Sequence, residues 1–221
     1  MSKLEVLHVD NHVLVVVKPA CQPVVPDDSG DDSLFEQAKE WVKKEYNKPG
    51  DVFLGVVHRL DRPVSGVVVF ARTSKGASRL SAAWQRHEVQ KTYLAWSRAT
   101  LKEGVAQEGE WRQWLWKDRG RNRVIIGQRE GAKEAITLWK VLRVTTKGTL
   151  LELQPKTGRA HQLRVACASM GLVLAGDLKY GAEQPLRDRS VGLHALSLEF
   201  KHPTKDDVLC FTAPAPSWAG E

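Results

Sequence analysis

Strand patterns in this chain outnumber helix patterns and come partly in consecutive runs. That points to an α+β fold rather than strict alternation of strand and helix. Val13 to Val17 is apolar and largely β-branched, as a buried strand should be. Taken from Leu4 to Lys18, the pattern predicts two short strands turning at Asp10-Asn11. Further strand patterns cover Val67 to Ala71, Lys91 to Arg98 and Ser197 to Phe200. A hairpin is expected from Ala135–Val144 to Thr149–Gln154 through Thr146-Lys147-Gly148. Ser33-Leu34-Phe35-Glu36 is a capping box. The helix it starts has Leu34, Ala38, Trp41 and Val42 on its apolar face and ends at Lys48-Pro49-Gly50. Ser74 is expected to cap a second helix with Ala77, Leu80 and Trp84 inward. A third should run from about Ala160 to Met170, with Leu163, Ala166, Cys167 and Met170 inward and Gly171 as its stop. The expected architecture is a mixed, largely antiparallel sheet flanked by helices.

The 221 residues suit one large domain or two closely packed lobes, and no repeat, low-complexity tract or linker divides them. With 42% hydrophobic and 27% charged residues, disorder is not expected. A formal net charge of +7 favours polyanionic partners, nucleic acid above all. The three cysteines, Cys21, Cys167 and Cys210, are far apart and odd in number, so they suggest reduced thiols rather than a disulfide framework or a metal site. The seven histidines show no metal spacing either, so no metal is expected. No apolar run is long enough to span a bilayer, and Glu5 and Asp10 interrupt any leader-like stretch. The expectation is a soluble cytoplasmic protein, by default a monomer.

Three segments invite a chemical reading. The first is His58-Arg59-Leu60-Asp61-Arg62-Pro63-Val64-Ser65-Gly66, bracketed by Val56-Val57 and Val67 to Phe70. It reads as strand, loop, strand, with a tight turn expected at Ser65-Gly66 and a carboxylate delivered between two arginines. From the segment alone, Asp61 is either a chemical group or an ion-pair partner for Arg59 or Arg62. The second segment is Lys91-Thr92-Tyr93, a strand projecting Tyr93. The third is Thr157 to Val165, a loop entering a helix with Arg159, His161, Gln162 and Arg164 in two turns. His161 and Arg164 should share a helix face. Arg164 adjoins the apolar stripe and therefore needs a carboxylate, for which Asp61 is the natural candidate. Separately, the stretch from Glu103 to Glu130 sets Arg119, Arg121 and Arg123 beside Trp111, Trp114 and Trp116. That composition suits phosphate contact and base stacking.

These segments carry a resemblance. The chain resembles pseudouridine synthases of the RluA type, whose signature is H-R-L-D, two variable residues, then T-S-G. Lys91-Thr92-Tyr93 is similar to the family's Lys-x-Tyr, and Gly158 to Arg164 to its G-R-x-H-Q-[LI]-R. Gly176-Asp177-Leu178-Lys179-Tyr180-Gly181 resembles its Gly-Asp-x-x-Tyr-Gly, and Lys18-Pro19, Leu193-His194-Ala195 and His202-Pro203 also match. The matches keep their order over nearly the whole chain.

The resemblance implies a pseudouridine synthase fold over residues 1–221 as a single catalytic domain, without the separate N-terminal RNA-binding domain of many relatives. It implies conversion of specific uridines in structured RNA, a ribosomal or transfer RNA stem-loop, to pseudouridine, with no cofactor. It implies that Asp61 is the catalytic carboxylate, as nucleophile or as base at the sugar. Tyr93 would stack on the uracil, and Arg164 would keep the catalytic carboxylate ionised. Arg59 would fill the space left by the flipped uridine. RNA contacts are expected from Arg59, Arg62, Lys91, Arg159, His161, Gln162, Arg119, Arg121 and Arg123. Two positions depart from the family: Val64 stands for the usual Thr and Ala166 for a frequent His. They motivate the alternative of a catalytically inactive RNA-binding or remodelling protein on the same fold.

Overall fold

Continuous apolar runs demand strands covered on both faces, and the chain supplies the cover. The computed structural model describes residues 4–101, 104, 106–118, 120–121 and 123–220. In chain order the elements are β1 (Glu5–Val9), β2 (Val13–Lys18), α1 (Leu34–Glu45), β3 (Gly55–Val56), β4 (Ser65–Ala71), α2 (Ser74–Gln85), β5 (Gln90–Ser97), β6 (Glu108–Asp118), β7 (Arg123–Ile126), β8 (Lys133–Thr145), β9 (Gly148–Pro155), α3 (Gln162–Ser169), β10 (Leu193–Lys201) and β11 (Val208–Thr212). They divide into two compact units, Met1–Gln90 with Ala195–Pro214 and Lys91–His194 with Ala215–Glu221.

In the first unit β2 lies between β1 and β4, and β10 follows β4. β1–β2, β2–β4, β3–β4 and β10–β11 pair antiparallel, with Val13 opposite Ala71 and Lys18 opposite Gly66. Val13, Val15, Val67, Val69, Leu198 and Phe200 build one face of the core under Leu80 and Trp84 of α2. The other face buries Leu14, Val16, Val68 and Phe70. There Phe35 of α1 meets the Phe70 ring edge-on. Ser33 caps α1 as expected, its Oγ accepting from the Glu36 N–H at 3.2 Å. The cap of α2 is Thr73 rather than Ser74, its hydroxyl accepting from the Gly76 N–H at 3.0 Å. Asp10 closes the β1–β2 turn by accepting the N–H groups of His12 and Val13.

The expected turn at Ser65-Gly66 lies earlier. The Val64 N–H donates to the Asp61 carbonyl at 3.0 Å, so the chain reverses over Arg62-Pro63. Gly66 is already in β4, with φ +121°, and a Cβ there would stand 2.2 Å from the Ala195 carbonyl oxygen. The glycine marks a close backbone approach rather than the turn. Gly66→Ala should therefore cost at least about 4 kcal/mol, since neither backbone can yield. A thermal unfolding midpoint within a few degrees of wild type would contradict this.

The second unit has the antiparallel order β5-β9-β8-β6-β7. The β8–β9 hairpin forms as expected. The charged, Trp-rich stretch before it, to which the sequence assigns no element, folds into the β6–β7 hairpin. Within β6 only Trp111 and Leu115 are buried, so its apolar alternation is nearly silent. Trp111 stacks on Trp139, and Leu115, Val124 and Ala135 pack with Val165 of α3 and with Tyr180. In α3 all residues from Gln162 to Cys167 are buried, including Ala166. Met170, expected inward, caps the helix and is 49% exposed, because Gly171 at φ +74° turns the chain away.

His194, the last residue of this unit's longer segment, is 2% exposed, and burial lowers its pKa to about 4. Between pH 6.5 and about 4 the unfolded chain binds a proton that the native state refuses, so stability falls as pH drops through that window. The loss amounts to roughly 3 kcal/mol. Urea midpoints at pH 7 and pH 4 should thus separate less in His194→Gln than in wild type. Equal separation would remove His194 as the cause.

Candidate active site

Asp61 sits half-buried in the first unit, in the loop that joins β3 to β4. A buried lysine holds that loop. Lys18 is fully buried at the end of β2, and its Nζ donates to the carbonyls of Pro19 at 3.0 Å, Gln22 at 2.8 Å and Arg62 at 3.0 Å. An ammonium has three hydrogens, and here it meets three acceptors. Burial pushes its pKa down to about 7, while the charges of Cys21 and Asp61 act to raise it. Asp61 therefore lies within electrostatic reach of a buried cation.

Val64, the departure from the family's threonine, is 2% exposed and closes the Asp61 turn through its backbone. Burial of its methyl groups occupies the place of a hydroxyl. Arg62, expected among the RNA contacts, turns its guanidinium inward on the loop before α1. It donates to the Cys21 carbonyl and pairs with Asp27 and Asp31. Arg59 is exposed. His58 accepts the Val69 N–H on Nε2 at 3.0 Å and stacks on Trp84, ring centres 4.8 Å apart.

In the second unit Tyr93 is half-buried on β5, opposite Leu153 of β9. Lys91, two residues earlier on the same strand, is half-buried, and desolvation chiefly, with Lys156 adding, lowers its pKa. The segment from Thr157 to Arg164 is rigid for identifiable reasons. The Gln162 carbonyl oxygen accepts from the Thr157 hydroxyl and the Arg159 N–H, and its amide donates to the Ile136 carbonyl and the Thr137 hydroxyl. Gln162, expected as an RNA contact, is thus 5% exposed and bonded within the fold. Arg159 is half-buried, its Nε donating to the Glu134 carbonyl.

His161 precedes α3 in the left-handed region at φ 51°, so it is a hinge into the helix and not part of its face. Its Nδ1 lies 2.7 Å from the Tyr180 hydroxyl. That hydroxyl also accepts the Val124 N–H at 3.0 Å, which ties His161 to β7 through Tyr180. Arg164 is 5% exposed and forks onto Asp177, Nε and Nη2 donating to the two carboxylate oxygens at 2.8 Å and 2.7 Å. Tyr180 lies 5.3 Å from the guanidinium carbons of both Arg164 and Arg123.

Lys18, Asp177 and Tyr180 are site supports that the sequence reading did not single out for a role. The signal for the last two was their spacing in Gly-Asp-x-x-Tyr-Gly, with Asp177 facing Arg164 and Tyr180 facing His161. On the β6–β7 hairpin Arg121 and Arg123 are exposed, Trp114 of β6 is 40% exposed, and Arg119 lies outside the described residues.

Within the first unit, a carboxylate in electrostatic reach of a buried cation suits acid–base or nucleophilic work. The family model for RNA pseudouridylate synthase matches residues 12–169. The chain belongs to that family. The synthase is 33% identical to the dual-specificity RNA pseudouridine synthase RluA of Pasteurella multocida, over 96% of this chain and 93% of that one. It is 31% identical to the RNA pseudouridine synthase YhcT of Bacillus subtilis, over 98% of this chain and 70% of that one. Among solved structures it resembles human RNA pseudouridylate synthase domain containing 4. That likeness has a TM-score of 0.76 at 25% identity and covers 97% of this chain and 89% of that chain. The synthase is an isomerase acting on uridine in RNA. The expected α+β pseudouridine synthase fold stands. No described helix is long and apolar enough to cross a membrane.

Proposed function

We propose that Asp61 is the catalytic carboxylate of this synthase and acts at the ribose of a flipped uridine in a ribosomal or transfer RNA stem-loop. The observation that carries the reading is the seating of the Asp61 loop. A loop with no chemical duty has little use for a fully buried ammonium under its main chain, and that cation lies within electrostatic reach of Asp61. Tyr93 packs its ring on the uracil, and its hydroxyl assists proton removal at carbon 5. Arg164 takes the role of the arginine that keeps the catalytic carboxylate ionised, a role favoured by its rigid seat on Asp177. Arg59, exposed at the loop, fills the vacated space in the RNA stack.

Arg121, Arg123, Lys91 and Arg159 bind phosphates, with Arg119 assigned to the same group by sequence alone. His161, Gln162 and Arg62 support the site through the internal bonds described above. The enzyme works as a monomer in the cytoplasm. Reduced thiols at Cys21, Cys167 and Cys210 suit a reducing compartment. Residues 1–221 act as one catalytic domain, a reading supported by a family match that runs through the boundary between the two units.

The test is pseudouridine mapping of total RNA from cells with and without the gene, rescued by wild type or by Asp61→Ala. A site lost on deletion and restored only by wild type names the substrate and the carboxylate together. Rescue by Asp61→Ala would reject the assignment, and no change at any site would favour the RNA-binding alternative.

A further inference from the structure

We infer that His58 is a positioning residue for Asp61, with its ring nitrogen standing in for a missing strand carbonyl. The argument begins with the free edge of β4. On one side β4 is paired along its length by β2, from Val13 opposite Ala71 to Lys18 opposite Gly66. The other side is shared. β3 covers Phe70 and Ala71 and then stops. β10 comes against the opposite end, with the Ala195 backbone close on Gly66. Extending the β3 register by one step would set Val57 opposite Val69. The chain instead leaves the sheet there to form the Asp61 loop.

That departure leaves the Val69 N–H without a strand partner in the core, at a residue with no solvent exposure. A buried N–H left unpaired is costly, so something must accept it. The acceptor is His58 Nε2 at 3.0 Å. A backbone N–H has no choice but to donate, so Nε2 carries a lone pair and its tautomer is set. The ring is fixed about its own axis as well, because it stacks on Trp84 of α2 at 25° between planes.

One side chain therefore completes the ladder at the point where the main chain abandons it. His58 is three residues before Asp61, and beyond Asp61 the Arg62 carbonyl is held by Lys18. The carboxylate hangs between two anchors, one half-buried and one fully buried, each donor-to-acceptor matched. Loss of the first anchor frees the loop on its β3 side without removing any group assigned to RNA contact. A shift of the order of 1 Å in a reacting group can cost about a hundredfold in rate.

This inference rests on Asp61 being the catalytic carboxylate, and the experiment separates the two. His58→Leu keeps apolar bulk and loses the acceptor; His58→Gln can present an amide oxygen near the Nε2 position. Single-turnover pseudouridine formation, RNA affinity and thermal midpoint are measured for wild type, both variants and Asp61→Asn, using the RNA identified by mapping. His58→Leu should slow turnover by about 10- to 100-fold with RNA affinity within threefold of wild type. His58→Gln should recover turnover to within about threefold. The inference is overturned if His58→Leu turns over within twofold of wild type. It is also overturned if His58→Gln is as slow as His58→Leu, or if neither variant folds, since His58 would then be a folding residue only. An inactive wild type, or an active Asp61→Asn, would instead reject the functional reading on which it rests.

Discussion

Asp61→Ala should reduce pseudouridine formation by roughly a thousandfold or more while leaving the fold in place. The side chain is half-buried in a loop, and the turn it occupies is closed by backbone groups that alanine also possesses. Lys18 keeps its three carbonyl acceptors in the variant, so the anchor beneath the loop survives. What disappears is one negative charge, which helps keep that ammonium protonated. The expected thermal midpoint is therefore within a few degrees of wild type, and RNA affinity should hold within a small factor. Turnover near the wild-type rate would end the assignment of Asp61. A collapse of stability would show that the loop depends on the carboxylate for folding.

Arg164→Ala is the opposite kind of change, since it should damage folding first. The Arg164–Asp177 pair is almost wholly removed from solvent, with side-chain exposures of 6% and 0%. Removal of one member leaves a charge buried beside the fully buried Cys167, whose own thiol is pushed up by desolvation chiefly and then by Asp177. Breaking such a pair costs about 3–5 kcal/mol. Asp177→Ala should cost a similar amount, and the double variant little more than either single change, because one interaction is lost in all three. Urea unfolding at neutral pH reads all of these. Independent, additive losses would mean that the two side chains serve separate structures. Activity should fall with Arg164→Ala even below the temperature at which the protein begins to unfold.

The legible parts of the molecule were those where one signal had one cause. The Asp61 loop could be placed because Val56-Val57 and Val67 to Phe70 bracket it, and a strand on each side leaves few alternatives. Helix α1 could be placed because Ser33 and Glu36 are a local device. Gly66 was misread because a glycine serves both turns and close backbone approaches, and only the position of Ala195 distinguishes them. The β6–β7 hairpin escaped notice because two buried residues in eleven do not make a period. Met170 fits the apolar stripe of α3, but Gly171 ends the helix first. Lys18 is the instructive omission. A lysine at a strand end reads as surface by composition. The three carbonyls that make its burial tolerable come from residues 1, 4 and 44 positions away.

The anchor formed by Lys18 also bears on the motif itself. The signature of the family leaves two positions open directly after the aspartate, held here by Arg62 and Pro63. Lys18 reaches the first of them through its carbonyl oxygen, a group every amino acid carries. The loop can thus be grasped without regard to what side chain stands there. Arg62 is at liberty to reach Asp27 and Asp31, and another residue could be accommodated in its place with the grasp undiminished. Main-chain recognition at an open position separates the upkeep of the Asp61 loop from the choice of side chain at its rim.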